Sequence, residues 1–396
     1  MRLTARRSIF LSHATLTSGM SMNLSSNEFQ GGYDGSVTVR NLLETTGISD
    51  LIKRPGVTEV AINRPGEAWT ESRDGWVQHI IPDASLDTLV KLANALTIFG
   101  KATPPLSTSE PEKPVRLPDG ERGQVVIPPA CEPNTVATTI RIPSSTRWSV
   151  NELTSKGFLT NFRDVAERDL GALSLGDVSV RGADDVSEVR RQLAAPAIVT
   201  LQRFELDMLD AIAQRDVERF LTLAVLNRLN IVLVGGTGSG KTTLMKSLAD
   251  LVPAQVRVAT IEDTHELPLP KQPNHVHLFY SEALPAKRIV KSTLRMKFDR
   301  VYLAELRGDE TWDYLVLLNT GHQGGLTTVH ANDAISAMAR IATLVKQSAV
   351  GQTLTWEHIL REVKTTIDVV LFMENKCLKE IYFDPVTKWK LQRGLA

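Results

Sequence analysis

The stretch IVLVGGTGSGKTTLMKSLADLVP, Ile231 to Pro253, restricts the possible folds more than any other part of the chain. Gly235 and Gly240-Lys241-Thr242 stand at the G-x-x-x-x-G-K-[ST] spacing of a P-loop. Ile231 to Val234 form an unbroken apolar run, suited to a strand buried on both faces. Leu244, Leu248 and Leu251 then mark a helix, and Pro253 closes it. The turn between them, Gly235, Gly236, Thr237, Gly238, Ser239 and Gly240, lets backbone N–H groups wrap a phosphate chain. The helix that opens with Lys241, Thr242 and Thr243 adds the favourable partial charge of its N-terminus. In this pattern Lys241 reaches the β- and γ-phosphates, and the Thr242 hydroxyl binds Mg²⁺. GTGSG partly mimics a dinucleotide-binding turn, but the Lys-Thr pair and the helix that follows argue against that reading.

The rest of the chain supplies an α/β frame for this loop. After Asn230, strands and helices alternate to the C-terminus, which predicts an α/β P-loop domain over about 206–396. Upstream, VTEVAINRPGEAWTE alternates apolar and polar residues around RPGE and predicts a β-hairpin. SLDTLVKLANALTIFG predicts a helix capped by Ser85 and ending at Gly100. RLPDGERGQVVIPP and NTVATTIRIPS predict two further strands, so residues 41–150 read as a small α+β domain. Residues 1–40 are Ser/Asn/Gly-rich without periodicity and read as a flexible tail, with a later start at Met20 or Met22 as an option. Residues 151–205, with VRGADDVSEVRRQ at their centre, read as a linker or insertion.

Composition excludes several function classes. Lys+Arg and Asp+Glu both number 45, so no bulk basic field draws the chain to nucleic acid, and stable binding there is not expected. Cys131 and Cys377 make neither a disulfide framework nor a metal-ligand pattern. No stretch has the about 20 apolar residues that span a bilayer as a helix. At the N-terminus the apolar IFL breaks at once into Ser and His, which leaves no signal-peptide core.

Two later strands end in carboxylates. VRVATIEDTHEL presents Glu262, Asp263 and Glu266, and RVYLAELRGDE presents Glu305. In a parallel sheet the carboxyl ends of strands share one edge, so these acids can converge on the phosphates. One acid to orient water and one near the metal would meet the needs of phosphoryl transfer. GGLTTV then delivers His330 to the same edge after a turn made by Gly321, Gly324 and Gly325.

GGTGSGKTT, TIEDTHEL, LRMKFDRVYLAELRGDE and GHQGGLTTVHAND occur in that order and resemble the four boxes of the type II/IV secretion traffic ATPases. VTEVAINRPGEAWTE, LPDGERGQVVIPP and TTIRIPS resemble the cytoplasmic hexameric ATPases of VirB-type type IV secretion and conjugation systems. The resemblance runs from about residue 41 to 383. It implies a RecA-like fold for the P-loop domain over about 206–396, and an ATP hydrolase that couples MgATP turnover to domain motion, powering substrate transport or assembly of a type IV secretion machine. It matches Glu266 to the acid that handles the attacking water, Glu305 to the acid near Mg²⁺ and His330 to the histidine by the γ-phosphate. Glu262 falls within the acidic box and is expected to contact nucleotide. Arg122 and Arg141 match two N-terminal arginines that reach the phosphates of a nucleotide held between the domains, and Trp148 falls where a bulky residue lies near the base. Lys297 and Phe298 depart from the MRPDR usual in the third box.

The resemblance further implies a homo-hexamer, peripheral to the cytoplasmic face of the inner membrane. Its partners would be inner-membrane components, including other channel ATPases and a coupling protein. Three rival readings stand beside this one: the ATPase of a type II or pilus system, a nucleic-acid-translocating motor, and a nucleotide-binding scaffold without turnover.

Overall fold

The structure, a computed structural model, describes residues 34–72, 74–102, 104–143, 147–168, 199–281 and 283–395. Within them the chain divides into two compact units, with the boundary between Ile142 and Pro143.

In the first unit, α1 (Gly35–Thr45) and α2 (Ile48–Ile52) lead into β1 (Glu59–Arg64), β2 (Glu67–Ser72) and β3 (Gly75–Ile80). After α3 (Leu86–Phe99) come β4 (Glu112–Arg116), β5 (Arg122–Val126) and β6 (Ala137–Arg141). The sheet order is β3-β2-β1-β6-β5-β4, and every pairing is antiparallel. The RPGE hairpin forms, with Gly66 at φ 82° supplying the left-handed turn that an L side chain resists. Ser85 caps α3 by accepting from Thr88 N–H at 3.3 Å. One face of the sheet packs Val60, Ile62, Val125 and Ile140 against Val39, Leu43, Leu89, Leu92 and Leu96 of the helices. Each such side chain contributes about 1.5–3 kcal/mol relative to exposure. The helix α1 starts inside the expected tail, where Val39 and Leu43, four apart, meet the core. Of the tail, residues 1–33 lie outside the described residues, as do Met20 and Met22.

The second unit holds an eight-stranded sheet ordered β10-β9-β11-β12-β8-β13-β14-β7. Its strands are β7 (Arg163–Asp164), β8 (Ile231–Val234), β9 (Val258–Glu262), β10 (His275–Phe279), β11 (Arg300–Leu303), β12 (Leu326–Val329), β13 (Val369–Glu374) and β14 (Cys377–Phe383). All pairings are parallel except the β13–β14 hairpin. On one face lie α4 (Val150–Ser155), α5 (Arg203–Ala213), α6 (Val217–Leu226) and α7 (Lys241–Ala249), packed on Ile231 and Leu233. On the other lie α8 (Ala286–Thr293), α9 (Glu310–Asn319), α10 (Ser336–Lys346) and α12 (Trp356–Thr366), packed on Val232 and Val234. The short α11 (Ala349–Thr353) precedes α12, and α13 (Pro385–Gln392) ends the chain. The alternating side chains of β8 therefore feed two separate cores, which explains its unbroken apolar run.

The helical stretch after Gln202 is two helices. Arg215 at φ 58° breaks it, and Asp216 restarts it by accepting from Arg219 N–H at 3.0 Å. Part of the expected linker packs with the second unit: Leu153, Leu159 and Phe162 are buried in its core, and β7 pairs with β14. Residues 169–198, including VRGADDVSEVRRQ, lie outside the described residues.

Candidate nucleotide site

Four loops meet at the carboxyl edge of the parallel strands. β12 lies between β11 and β8, so the residue after it, His330, stands between Glu305 after β11 and the P-loop after β8. This order is what brings the sequence boxes together.

The P-loop is shaped by its glycines and by a neighbour. Gly235 has φ 142°, and a Cβ there would sit 2.1 Å from Met373 O in the β13–β14 hairpin. Gly240, at φ 99°, lies against Lys376 at the tip of that hairpin, and Lys376 N–H donates to Ser239 O at 3.1 Å. Lys241 arches back over the loop, and its Nζ donates to Gly235 O at 2.8 Å and Gly236 O at 2.7 Å. Two observations test whether this loop suits a polyphosphate. The helix α7 begins at left-handed Gly240 with no side-chain cap, so its first-turn N–H groups are presented by the backbone alone. Ser239 Oγ is buried and has no hydrogen-bond partner. Gly236, Thr237 and Gly238 form the exposed crest, and Thr242 and Thr243 are half-buried on the first helical turn. The arrangement fits phosphate oxygens, with the Thr242 hydroxyl available as a metal ligand.

Glu305 anchors the acid side of the site. Its Oε1 lies 3.0 Å from His330 Nε2, and its Oε2 accepts from Arg307 Nε at 2.8 Å. Arg307 Nη1 donates to Asp263 Oδ2 at 2.9 Å, so one guanidinium joins the loops after β9 and β11. Burial alone would lower the Arg307 pKa, but the bonds to Glu305 and the charge of Asp263 outweigh it and raise the value further. The motif ELRGDE contains Arg307, yet sequence reasoning passed over it. Its clamp between two acids could have been suspected only from knowing that β9 and β11 are neighbours.

Glu262, expected to contact nucleotide, has a fully buried side chain that bonds its own strand and the loop that follows. Oε2 accepts from Glu266 N–H at 2.7 Å and Leu267 N–H at 2.8 Å, and Oε1 accepts from Thr260 Oγ1 at 2.7 Å. Burial would raise its pKa, but bonds from His277, Thr260 and the Leu267 N–H hold the net value below the ordinary one. Glu262 therefore holds the loop that carries the half-buried Glu266.

Trp148 packs on Phe158 edge-on, with ring centroids 6.0 Å apart, and Lys156 Nζ sits 4.4 Å over its ring. Its carbonyl accepts from Ser247 Oγ on α7 at 2.6 Å. The preceding Arg147, also passed over in the sequence, grips Asp250 at the end of α7 with bonds of 2.7 and 2.5 Å. Trp148 is thus tied to the P-loop helix. In the first unit, Arg122 and Arg141 are direct cross-strand partners, flanked by Arg116 on β4 and Glu59 on β1. The register puts the two arginines side by side.

Comparison with known proteins decides the family. The chain is 36% identical over 349 residues to the type IV secretion system protein VirB11 of Brucella abortus, covering 84% of this chain and 87% of that one. This chain belongs to the VirB11 family of type IV secretion ATPases. It is also 34% identical over 332 residues to PtlH of Bordetella pertussis, a type IV secretion system protein, covering 82% and 87% of the two chains. A family profile described as type II/IV secretion system protein matches residues 195–381. The solved structure of the pilus retraction motor PilT with bound ADP is similar at a TM-score of 0.52 and 16% identity, covering 89% of this chain and 86% of that one. That likeness shows the shared RecA-like fold. The secretion ATPase fold and activity expected from the four boxes are therefore those of the family.

Proposed function

We propose that this secretion ATPase turns over MgATP at the carboxyl edge of β8, β9, β11 and β12, with Glu266 orienting the water that attacks the γ-phosphate. The observation that carries the reading is the Glu305–His330 contact beside the P-loop. It puts an acid and an imidazole next to the loop that suits phosphates. Lys241 and the N–H groups of Gly238 to Thr243 hold the phosphate chain and neutralise its charge. A Mg²⁺ ion held through Thr242 and Glu305 would add further charge neutralisation at the phosphate oxygens. His330 hydrogen-bonds on the γ-phosphate side, and loss of that phosphate releases the loop after β12. Arg122 and Arg141 serve hydrolysis as paired cations, and Trp148 borders the base.

The working form in this proposal is a homo-hexamer at the cytoplasmic face of the inner membrane, in contact with other components of a type IV machine. Among the described residues no helix is long and apolar enough to cross a membrane, in keeping with peripheral attachment. Hydrolysis would drive movement of the first unit, and that movement would serve transport or machine assembly. The test compares nucleotide binding with phosphate release in the Glu266→Gln protein. Retained binding with turnover lowered by roughly 10²-fold or more supports the assignment. Equal loss of binding and turnover would reduce Glu266 to a structural residue.

A further inference from the structure

Behind the acid loop, on the side of the edge strand β10, three potential ligand atoms converge. Glu262 ends β9, His265 follows three residues later in the loop, and His277 lies on β10 opposite Thr260. One donor atom from each lies within 4.8 Å of the others. His265 Nδ1 is 3.5 Å from Glu262 Oε1, and His277 Nδ1 is 3.6 Å from the same oxygen. In a tetrahedral zinc site with bonds of about 2.0–2.1 Å, neighbouring ligand atoms stand about 3.4 Å apart. The two imidazole rings are neighbours, with centroids 4.3 Å apart and planes inclined at 59°.

We propose that Glu262, His265 and His277 form a binding site for a divalent transition-metal ion of the zinc class, separate from the Mg²⁺ that accompanies nucleotide. The donor set selects the ion. Two imidazole nitrogens and one carboxylate oxygen suit zinc, cobalt, nickel or copper, whereas Mg²⁺ prefers an all-oxygen shell. Three protein ligands leave a fourth position for water, and His265, with a side chain 46% exposed, provides the entry path.

Surrounding groups orient the ligands. Thr260 Oγ1 lies 2.7 Å from both Glu262 Oε1 and His277 Nδ1, so an ion held at His277 Nδ1 would replace that nitrogen's bond to the hydroxyl. Oε2 of Glu262 is fixed by the Glu266 and Leu267 N–H groups, which leaves Oε1 facing the histidines. His275 lies beside His277, with ring centroids 4.6 Å apart, but is not among the three residues whose donor atoms converge. Lys246 on α7 interacts electrostatically with Glu262, and the ion must bind against its repulsion. A bound ion would tie β10 to the loop that carries Glu266.

The experiment titrates the full, untagged chain with Co²⁺ in the absence of nucleotide and reads the intense visible bands of tetrahedral cobalt, then displaces them with Zn²⁺. The expected result is one equivalent per chain, with the bands lost in His265→Gln and His277→Gln. His330→Gln and His358→Gln should bind as the parent does. His265 is on the surface, so its variant tests the site without a risk to folding. No tetrahedral cobalt spectrum, or one unchanged in His265→Gln and His277→Gln, overturns the proposal. A spectrum lost only in His330→Gln also overturns it, because the ion would then sit beside Glu305.

Discussion

Lys241 is 8% exposed and spans the crest of its loop, bonded to two carbonyls that it can exchange for phosphate oxygens. Lys241→Ala should lower turnover by on the order of 10²–10³-fold, with stability little changed, as measured by phosphate release beside thermal unfolding. Near-parental turnover would remove it from the reaction. Gly325 is constrained differently. A Cβ there would come within 2.5 Å of Leu318 Cδ2 and 2.7 Å of Tyr314 Oη, both fully packed in the core behind β12. Gly325→Ala should therefore cost about 1–3 kcal/mol in denaturant unfolding, because the crowding cannot relax outward. An unchanged midpoint would mean that α9 yields more easily than its burial suggests.

At the level of elements, the HAND tetrapeptide illustrates how one short run serves two purposes. His330 leaves β12 for the Glu305 contact, while Asp333 Oδ1 accepts from Ile335 N–H at 2.9 Å and Ser336 N–H at 2.7 Å and starts α10. The Ser336 N–H bond, foremost among its contacts, holds the Asp333 carboxyl below the ordinary aspartate range. Its stabilising effect is present above the unfolded-state value and is lost as pH falls below about 4. Asp333→Ala should cost about 1 kcal/mol at neutral pH, shrinking toward zero in acid, whereas Asp333→Asn should abolish only the pH dependence. A penalty that stayed constant across that window would refute the capping role. These elements also show what the sequence could reveal. β8, β9, β11 and β12 were legible because each is a short apolar run ending in a polar group of distinct chemistry. The roles of Glu262 and Arg307 were not, because they depend on which strands are neighbours. α1 and β7 escaped as well. The first lies partly in a stretch whose polar composition masks Val39 and Leu43, and the second is two residues of edge pairing without any apolar signature.

For the whole molecule, two units with their own cores predict two separable folding reactions. Residues 143–396 expressed alone should unfold in one cooperative transition, checked by calorimetry, and a broad non-cooperative melt would contradict the division. In the presence of nucleotide the full chain should run in light scattering as about six copies of 43.6 kDa. A monomer under every condition would remove the hexamer from the proposal. Asn230 joins three strands of the second unit. Its Oδ1 accepts from the Gly324 and Gly325 N–H groups, its Nδ2 donates to Thr366 O, and its own N–H donates to Asp368. One side chain thus rivets the starting ends of β8, β12 and β13 together, at the far end of the sheet from the phosphate loop. The sheet is built like a cantilever, clamped at its root and loaded at its tip. Amide hydrogens at Gly324 and Gly325 should exchange slowly with solvent, whereas those after His330, at the loaded end, should exchange first.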